Sequence, residues 1–464
     1  MKKSLLAVAA MTAFAGAAQA QSSVTVYGIL DVGFVGSQYN GTALQANSAN
    51  VNNAAAASAG SIGGKQSTAG FGQSAESTSR IGFKGTEDLG GGTQAIFTME
   101  LGLSPNSNGA AASSTTTSAT AVSTPAVFGQ MNRQTFVGLH KNGIGAATIG
   151  TQYTPLFDVQ SSTDAAGNNN LVGNAVYSGN LQSATGSYNM GLGPYSAGSS
   201  TVTDSLNAAA GAYVTRMSNA IKFQSDRIAG FAGQLYYAQA NQTTNQTGAN
   251  FTGVSGSGQT ASTAAIDAKG VGGVNNNTAF GANADYEWNK LRVVAAYQTI
   301  RSYDPSTASD TKVDGSKSTL ANGSADNFGL NMNDSQTYAA ATYDFGILKG
   351  YAQYITRKAF STISSNYGTS RSAYQLGARS QLTPVISVYA TYGLGKSSYF
   401  QGGSAYANFR TMQIGSDYNL SKRTNLYVAY GAFNQSSDGT TTTTSGGYTG
   451  TSGSNYAVGV RHTF

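Results

Sequence analysis

The sequence contains no cysteine, and it is poor in proline, histidine and charged residues. Without cysteine there can be no disulfide, thiol nucleophile or thiolate metal site, so stability must come from backbone hydrogen bonds and packing. The two histidines, His140 and His462, do not have the spacing of metal ligands. No nucleophile motif or glycine-rich phosphate loop is found either. The sequence therefore predicts no enzyme, no cofactor and no bound metal.

Charged residues make up only 10% of the chain, whereas an ordinary soluble domain carries about 25%. The formal net charge is +6, and without Lys2 and Lys3 the 26 basic residues fall to 24, against 20 acidic ones. Basic residues are scattered, so nucleic-acid binding is not expected. The 59 glycines and 27 tyrosines suit strands that face lipid on one side and water on the other. They also suit a secreted β-rich adhesin, which is the main alternative from another class.

The chain has only one hydrophobic run of note, at its start. Lys2 and Lys3 precede an apolar segment from about Leu5 to Ala18, and the small residues Ala18 and Ala20 flank Gln19. This pattern predicts a signal peptide over residues 1–20 and a mature chain of residues 21–464. The alternative is a buried N-terminal helix. No later segment approaches about 18 consecutive apolar residues, so no membrane-spanning helix is expected.

Beyond that segment, sixteen stretches alternate apolar and polar residues with the period of two that indicates β-strands. The predicted strands are Val24–Phe34, Ser79–Thr86, Thr93–Leu103, Arg133–Lys141, Ala146–Tyr153, Arg216–Gln224, Phe231–Ala240, Ala279–Glu287, Leu291–Arg301, Gln336–Phe345, Leu348–Arg357, Arg371–Leu382, Ile386–Lys396, Phe409–Leu420, Thr424–Phe433 and Asn455–Phe464. Short turns alternate with long polar loops between them, and all six prolines fall in loops or turns. Strand length, even number and alternating loop length together predict a transmembrane antiparallel β-barrel with short periplasmic turns and long extracellular loops.

The last strand shows the two faces most clearly. Tyr456, Val458, Val460 and Phe464 lie on one face and are predicted to meet lipid, whereas Arg461 lies on the other and should face the lumen. Pairing of this strand with Val24–Phe34 would remove the open edges of the sheet. Aromatic residues near predicted strand ends would form interfacial girdles or are ordinary strand residues: Tyr153, Tyr237, Trp288, Tyr303, Phe345, Tyr418 and Phe464.

Several motifs resemble the general porins of β-proteobacteria. They are Ser22-Ser-Val-Thr-Val-Tyr-Gly-Ile-Leu-Asp31, Ser79-Arg-Ile-Gly-Phe-Lys-Gly-Thr-Glu-Asp-Leu-Gly90, Phe136-Val-Gly-Leu139, Gln152-Tyr-Thr-Pro-Leu-Phe-Asp158 and Tyr456–Phe464. The resemblance implies a homotrimer in the outer membrane, in contact with lipid and lipopolysaccharide, that lets ions and small hydrophilic solutes pass. It also implies that the third loop folds into the pore and that the barrel-assembly machinery recognises the last strand, with Tyr456, Val458, Val460 and Phe464 as the signal.

Charged side chains at the narrowest point of such a channel set its selectivity. Arg80 and Lys84 alternate with apolar neighbours and should face the lumen, although Arg80 could also be a rim charge. Arg216 has the same inward parity. The resemblance implies that Arg80, Arg133 and Arg216 form a basic wall, but Arg133 has the parity of lipid-facing residues, so it needs a bulge or a position at the extracellular rim. Thr151 stands where family members often have arginine.

The long insertion at about residues 154–213 is the predicted constriction loop. Its first acids, Asp158 and Asp164, are expected to face the basic wall, or else are solvated loop acids. The function expected from these residues is a general diffusion channel with mild anion preference. A substrate-selective outer-membrane channel is the alternative within the same class.

Overall fold

Antiparallel strands make up most of the computed structural model, which describes residues 23–41, 64–103, 105, 128–177, 182–183, 186–187, 213–244, 273–303, 331–361, 367–401, 404–436 and 451–464. In chain order the elements are β1 (Ser23–Gly41), β2 (Gly64–Gln73), β3 (Arg80–Gly90), β4 (Thr93–Leu103), β5 (Phe128–Lys141), β6 (Gly145–Tyr153), α1 (Pro155–Ser162), β7 (Gln182–Ser183), β8 (Gly186–Ser187), β9 (Arg216–Ser225), β10 (Phe231–Thr244), β11 (Gly273–Trp288), β12 (Leu291–Tyr303), β13 (Asn331–Asp344), β14 (Lys349–Ser361), β15 (Tyr367–Gln381), β16 (Ile386–Gln401), β17 (Ser404–Asn419), β18 (Thr424–Gln435) and β19 (Thr451–Thr463). The predicted signal peptide lies outside the described residues.

The sheet closes into a barrel of sixteen strands, as the sequence predicts. Seventeen named strands belong to it, but β2 and β3 both pair with β1 and together fill a single place in the wall. The two-residue strands β7 and β8 pair only with each other. Each remaining strand pairs with its neighbours along the chain, except that β6 passes to β9. Among the described residues, no helix is long and apolar enough to cross a membrane.

The first loop is shorter than the sequence suggests. Residues 37–41 continue β1, and β2 occupies residues 64–73, whereas the polar composition of 37–77 predicts one long loop. These strand extensions consist mainly of glycine and polar residues, which give no hydrophobic alternation, although their backbone pairs in regular register. Periodicity of side chains therefore underestimates strand length where both faces are polar.

Closure of the barrel follows the predicted pairing of the last strand with the first. β19 pairs with β1 from Thr463 opposite Ile29 to Thr451 opposite Gly41. Beyond the strand, the Phe464 amide and carbonyl exchange hydrogen bonds with Gly28, at 3.1 and 3.0 Å. The Phe464 ring covers Gly28, where a Cβ atom would overlap the ring. No strand edge is thus left open at this seam.

The two faces of the wall differ in composition. In β18, Leu426 and Val428 are 43% and 52% exposed, whereas Tyr427 and Ala429, which alternate with them, are buried. In β19, Tyr456, Val458 and Phe464 are likewise exposed, Val460 is half-buried on the same face, and Asn455 and Ala457 are buried. An apolar outer belt around a more polar interior is the pattern of a barrel that lies in lipid.

Candidate pore constriction

The third long connection turns into the barrel immediately after β6. The Thr154 hydroxyl accepts a hydrogen bond from the Phe157 amide and caps α1, and Pro155 occupies the first turn, where its missing N–H group costs nothing. Asn283 of β11 donates to the Pro155 carbonyl oxygen at 2.7 Å. This pairing attaches the start of the helix to the inner wall of the barrel.

Beyond the helix, the chain continues across the lumen. Thr163 and Tyr338 of β13 share a hydrogen bond of 2.6 Å between their hydroxyl oxygens. Further on, the Val172 amide donates to the side chain of Asn455 in β19 at 3.2 Å. Gly431 of β18 makes room for this approach, because a Cβ atom there would overlap the Val172 carbonyl oxygen. The loop therefore spans from β13 to the seam of the barrel.

Apolar packing holds the same loop. Leu156 and Val176 are fully buried and belong to one cluster with Val294 and Ile355, which face inward from β12 and β14. Residues 154–177 of the predicted constriction loop lie inside the barrel. Residues 178–181, 184–185 and 188–212 of that prediction fall outside the described part of the chain.

Arg80 and Arg133 meet at a carboxylate that the sequence analysis did not single out. Arg133 donates from Nε to Glu100 Oε1 at 2.6 Å, and Arg80 Nη1 lies 3.7 Å from the same oxygen. The Tyr27 hydroxyl donates to the other oxygen at 3.1 Å. Glu100 is 4% exposed, and its neighbours Phe97 and Met99 lie on the outer face. Glu100 thus neutralises part of the basic wall.

A bulge brings Arg133 to the inner face. Gln134 pairs with Glu100 and Asn132 pairs with Leu101, so Arg133 is an extra residue in β5. An extra residue reverses the facing of the side chains on one side of it. The alternation that would place Arg133 on the outer face is therefore reversed at Arg133 itself. Of the two alternatives in the sequence analysis, the bulge is the one that the structure contains.

Tyr153 connects the arginines to the loop. Its hydroxyl accepts from Arg133 Nη2 at 2.7 Å, the Arg216 guanidinium lies 5.7 Å from its ring centroid, and its ring stacks on Phe157 at 4.4 Å. A second bulge, with Asn219 at a φ of +53°, interrupts β9 between Arg216 and the residues from which its inward parity is predicted. Arg216 is placed by its pairing with Tyr153, not by simple alternation.

Two lysines complete the basic wall. Lys222 of β9 donates to Asp158 Oδ2 at 2.8 Å and to the Tyr153 carbonyl oxygen at 3.2 Å. Lys84 is exposed, with its ammonium 5.5 Å from the centroid of the Tyr27 ring. Asp158 of α1 therefore faces a cation of the basic wall, although that cation is Lys222, which was not among the predicted site residues.

The predicted acid Asp164 lies elsewhere. It is buried, and it accepts hydrogen bonds from the Asn168 amide at 2.8 Å, from Asn174 at 3.1 Å and from Gln375 of β15 at 3.2 Å. β15 is eight places from β5 in the order of sixteen strands, on the opposite side of the barrel. Burial raises the pKa of Asp164, and the hydrogen bonds from Asn168 and Asn174 act against that shift. Asp164 thus fastens the loop to the far wall, a position that differs from the expected one facing the arginines.

The phenol of Tyr177, in the inserted loop, is influenced electrostatically by three arginines. Burial raises the pKa of the Tyr177 phenol, and the guanidinium groups of Arg133, Arg216 and Arg80 act in the opposite direction. All three arginines therefore lie close enough to the inserted loop to influence it electrostatically. The arrangement is a basic patch on one wall of a lumen that a folded loop narrows.

The family described as Gram-negative porin matches residues 7–438 of the chain. The chain belongs to this family. It is also 25% identical to an outer membrane porin protein of Bordetella pertussis over 93% of this chain and 94% of that one. Outer membrane porin protein 32 of Delftia acidovorans is 46% identical over 100 residues, which are 22% of each chain.

Solved structures agree with the porin fold. The anion-selective porin from Comamonas acidovorans has a TM-score of 0.56 and 22% identity, over 96% of this chain and 100% of that one. The trimer form of OmpT, an outer membrane protein of Vibrio cholerae, has a TM-score of 0.53 and 12% identity, over 96% of this chain and 99% of that one. The protein is a porin of the Gram-negative outer membrane.

In this porin, Glu100 and Lys222 are the site residues that sequence reasoning missed. A usable signal exists for both. Each is a charged residue at an inward position of a strand whose outward neighbours are apolar, namely Met99 for Glu100 and Ile221 with Phe223 for Lys222. Because charge on the lipid face costs about 2–4 kcal/mol at the midplane, a charge inside an amphipathic strand belongs to the lumen.

Proposed function

We propose that this porin is a general diffusion channel for ions and small hydrophilic solutes, with mild anion selectivity set at the basic wall. Arg80, Lys84, Arg133, Arg216 and Lys222 provide five positive charges there, against the carboxylates of Glu100 and Asp158. The excess of three positive charges beside the inserted loop is the observation that carries the proposal. Fixed charges of one sign around a narrow passage raise the local concentration of the opposite ion.

Several other lumen-facing charges contribute less to selectivity because they occur in balanced groups. Arg357 pairs with Asp334 at 2.6 Å, and Arg379 pairs with Asp417 at 2.9 Å. Near the short turns, Arg227 and Arg292 share the two carboxylates Asp285 and Glu287. The name of the Comamonas acidovorans structure, an anion-selective porin, agrees with the sign of the excess at the basic wall.

The experiment is a reversal-potential measurement across a salt gradient in a planar bilayer. The wild-type channel is expected to favour anions, and Arg80→Ala is expected to move the reversal potential toward cations. One charge removed at about 4 Å from a passing ion changes the energy of that ion by about 1 kcal/mol in water, roughly a fivefold change in its local concentration, with opposite signs for anions and cations. Arg301→Ala removes the same charge at an exposed position on β12 and is the matched control. Equal shifts for the two variants would exclude Arg80 from the constriction.

We further propose the assembly that the family resemblance implies. The mature chain, cleaved after Ala20, forms a homotrimer in contact with lipid and lipopolysaccharide, and the barrel-assembly machinery recognises the face of the last strand that carries Tyr456, Val458, Val460 and Phe464. The exposure of Tyr456, Val458 and Phe464 supports this reading, since a recognition signal must be accessible. N-terminal sequencing of the outer-membrane protein tests the cleavage site, and native mass spectrometry tests the trimer.

A further inference from the structure

The second place in the barrel wall contains an inward turn. Gln73 of β2 pairs with Val32, and Arg80 of β3 pairs with Ile29, so six residues, 74–79, stand opposite only two residues of β1. The surplus folds into the lumen, where Ala75 is fully buried in one cluster with Leu171 of the loop. We call residues 74–79 the seam turn, because it lies beside the junction of the first and last strands.

Strong hydrogen bonds hold the seam turn in place. Asp31 of β1 is fully buried, and its Oδ2 accepts from the amides of Glu76 at 2.8 Å and Ser77 at 2.6 Å. The Tyr427 hydroxyl donates to Asp31 Oδ1 at 2.6 Å. Ser74 has a φ of +60°, which is unfavourable for a residue with a side chain and persists only where surrounding contacts impose it.

The carboxylate of the seam turn adds a second attachment to the wall. Glu76 lies 3.1 Å from Arg461 of β19 and accepts a hydrogen bond of 3.0 Å from Asn425 of β18. The turn is therefore fixed to the first strand and to the last two strands of the barrel. It is a rigid feature of the seam.

The seam turn also binds the inserted loop through hydrogen bonds from Asn170. The Asn170 amide donates to the Ala75 carbonyl oxygen at 2.9 Å, and Asn170 Nδ2 donates to the Ser74 carbonyl oxygen at 2.7 Å and to Thr78 Oγ1 at 3.2 Å. Asn170 thus has three hydrogen bonds to the turn.

The seam turn also contacts the basic wall. Ser77 accepts a hydrogen bond of 3.1 Å from Arg80 Nη2. One short segment therefore contacts both the loop that narrows the pore and an arginine of the basic wall.

We propose that the seam turn is a latch that holds the far end of the inserted loop, with Asn170 and Asp31 as positioning residues for the constriction. The loop is attached at its start to β11 and β13 and further on to β15, β17 and β19, and the latch adds an attachment at the second place in the wall. Each attachment restricts the motion of the loop, so loss of the latch should let the part of the loop around Asn170 fluctuate more and make the cross-section of the passage less constant. This inference rests on the proposed channel function, but it concerns the constancy of the passage and not its ion preference.

The first test is single-channel recording of Asn170→Ala. The variant loses two side-chain hydrogen bonds, and at about 1 kcal/mol each the population of unlatched loop rises roughly 5- to 30-fold. We expect greater open-channel noise and additional conductance levels, with unchanged heat-modifiable gel mobility. Ser23→Ala is the matched control, because Ser23 joins β1 to β3 through Thr86 and does not contact the loop. Open-channel noise equal to that of the wild type in Asn170→Ala would overturn the proposal.

A reversible lock gives a second test that does not depend on the stability of one variant. The chain contains no cysteine, so a Thr78→Cys, Asn170→Cys pair introduces its only thiols, at two side chains that are in contact. We expect a quiet channel when the pair is oxidised and a noisy one after reduction by dithiothreitol. Identical traces in both states would refute the latch. The reversal potential of the oxidised channel is recorded separately, so loss of anion preference alone refutes only the proposed selectivity.

Discussion

Glu100 offsets part of the positive charge of the basic wall. Its carboxylate is enclosed by Arg133, Tyr27 and Arg80, and it lies on the same side of the lumen as the positive excess. Removing it has two opposed consequences. The channel gains a net positive charge, and Arg133, which is 7% exposed, loses its carboxylate partner. The first consequence favours anion passage, and the second lowers stability.

We expect Glu100→Gln to strengthen anion selectivity and to destabilise the barrel by about 1–3 kcal/mol, since a buried charged donor loses part of its pairing. Reversal potentials measure the first effect, and the temperature at which heat-modifiable mobility is lost measures the second. Glu287→Gln makes the same charge change at a more exposed site near a short turn and should shift both quantities less. Unchanged or weaker anion selectivity in Glu100→Gln would mean that Glu100 does not act on the passing ions.

The sequence predicted strand boundaries more accurately beside the short turns than beside the long loops. β4, β10, β12, β16 and β18 begin at the predicted residue, and each of them follows a short turn. At the loop ends, β10 extends to Thr244 and β11 begins at Gly273, beyond the predicted ends. Apolar alternation reports only the part of a strand that meets lipid. The polar extensions above the membrane are held by backbone pairing, which leaves no trace in composition.

The seam between first and last strands depends on the close approach of Phe464 to Gly28. A side chain at Gly28 would overlap the Phe464 ring and would also come within 2.7 Å of the Arg80 carbonyl oxygen. We therefore expect Gly28→Val to reduce the yield of folded barrel, because its new methyl groups displace the terminal ring. Ala147→Val adds two methyl groups at an exposed position on β6 and is the control. Heat-modifiable mobility after refolding measures both, and equal yields would show that closure tolerates displacement of Phe464.

A pH-dependent contact joins two short turns. Asp226 Oδ1 lies 3.0 Å from His140 Nε2, and Oδ2 accepts from the Gly143 amide at 2.7 Å. These bonds, the one with His140 first, lower the pKa of Asp226 below its ordinary value of 3.8. Because the folded-state pKa is depressed, the contact contributes fully above the ordinary value and is lost as the pH falls through the lowered one.

We expect the amide resonance of Gly143 to shift during acid titration in detergent micelles, with a midpoint below the ordinary pKa of aspartate. The reason is that protonation of Asp226 weakens the hydrogen bond that this amide donates. Asp226→Asn cannot titrate and should give a flat profile. A midpoint at or above the ordinary value in the wild-type protein would contradict the lowered pKa.

At the scale of the whole molecule, local patterns predicted the barrel better than they predicted the site. Inward-facing Arg80 follows from simple alternation. Arg133, by contrast, reaches the lumen through a bulge, and a second bulge separates Arg216 from the residues whose alternation predicts its inward position. A bulge changes the parity of a strand without any mark in its hydrophobic pattern. Asp164 could not be placed from sequence, because its position depends on Gln375, some two hundred residues away along the chain. Sites built from non-local contacts require the fold before they can be located.

The last prediction concerns the whole lumen as a charged conduit. If selectivity arises from fixed charges beside a water-filled passage, it must weaken with salt, because the Debye length falls from about 10 Å at 0.1 M to about 3 Å at 1 M. We expect the anion-to-cation permeability ratio of the wild type to decline toward that of Arg80→Ala as the salt concentration rises, since screening and removal of the charge act on the same interaction. Reversal potentials at a fixed gradient ratio and increasing mean concentration measure this. A passage that discriminates by hydrated size would keep its permeability ratio at every salt concentration. A salt-independent ratio in both proteins would therefore show that the cross-section set by the inserted loop, and not the charge of the basic wall, determines selectivity.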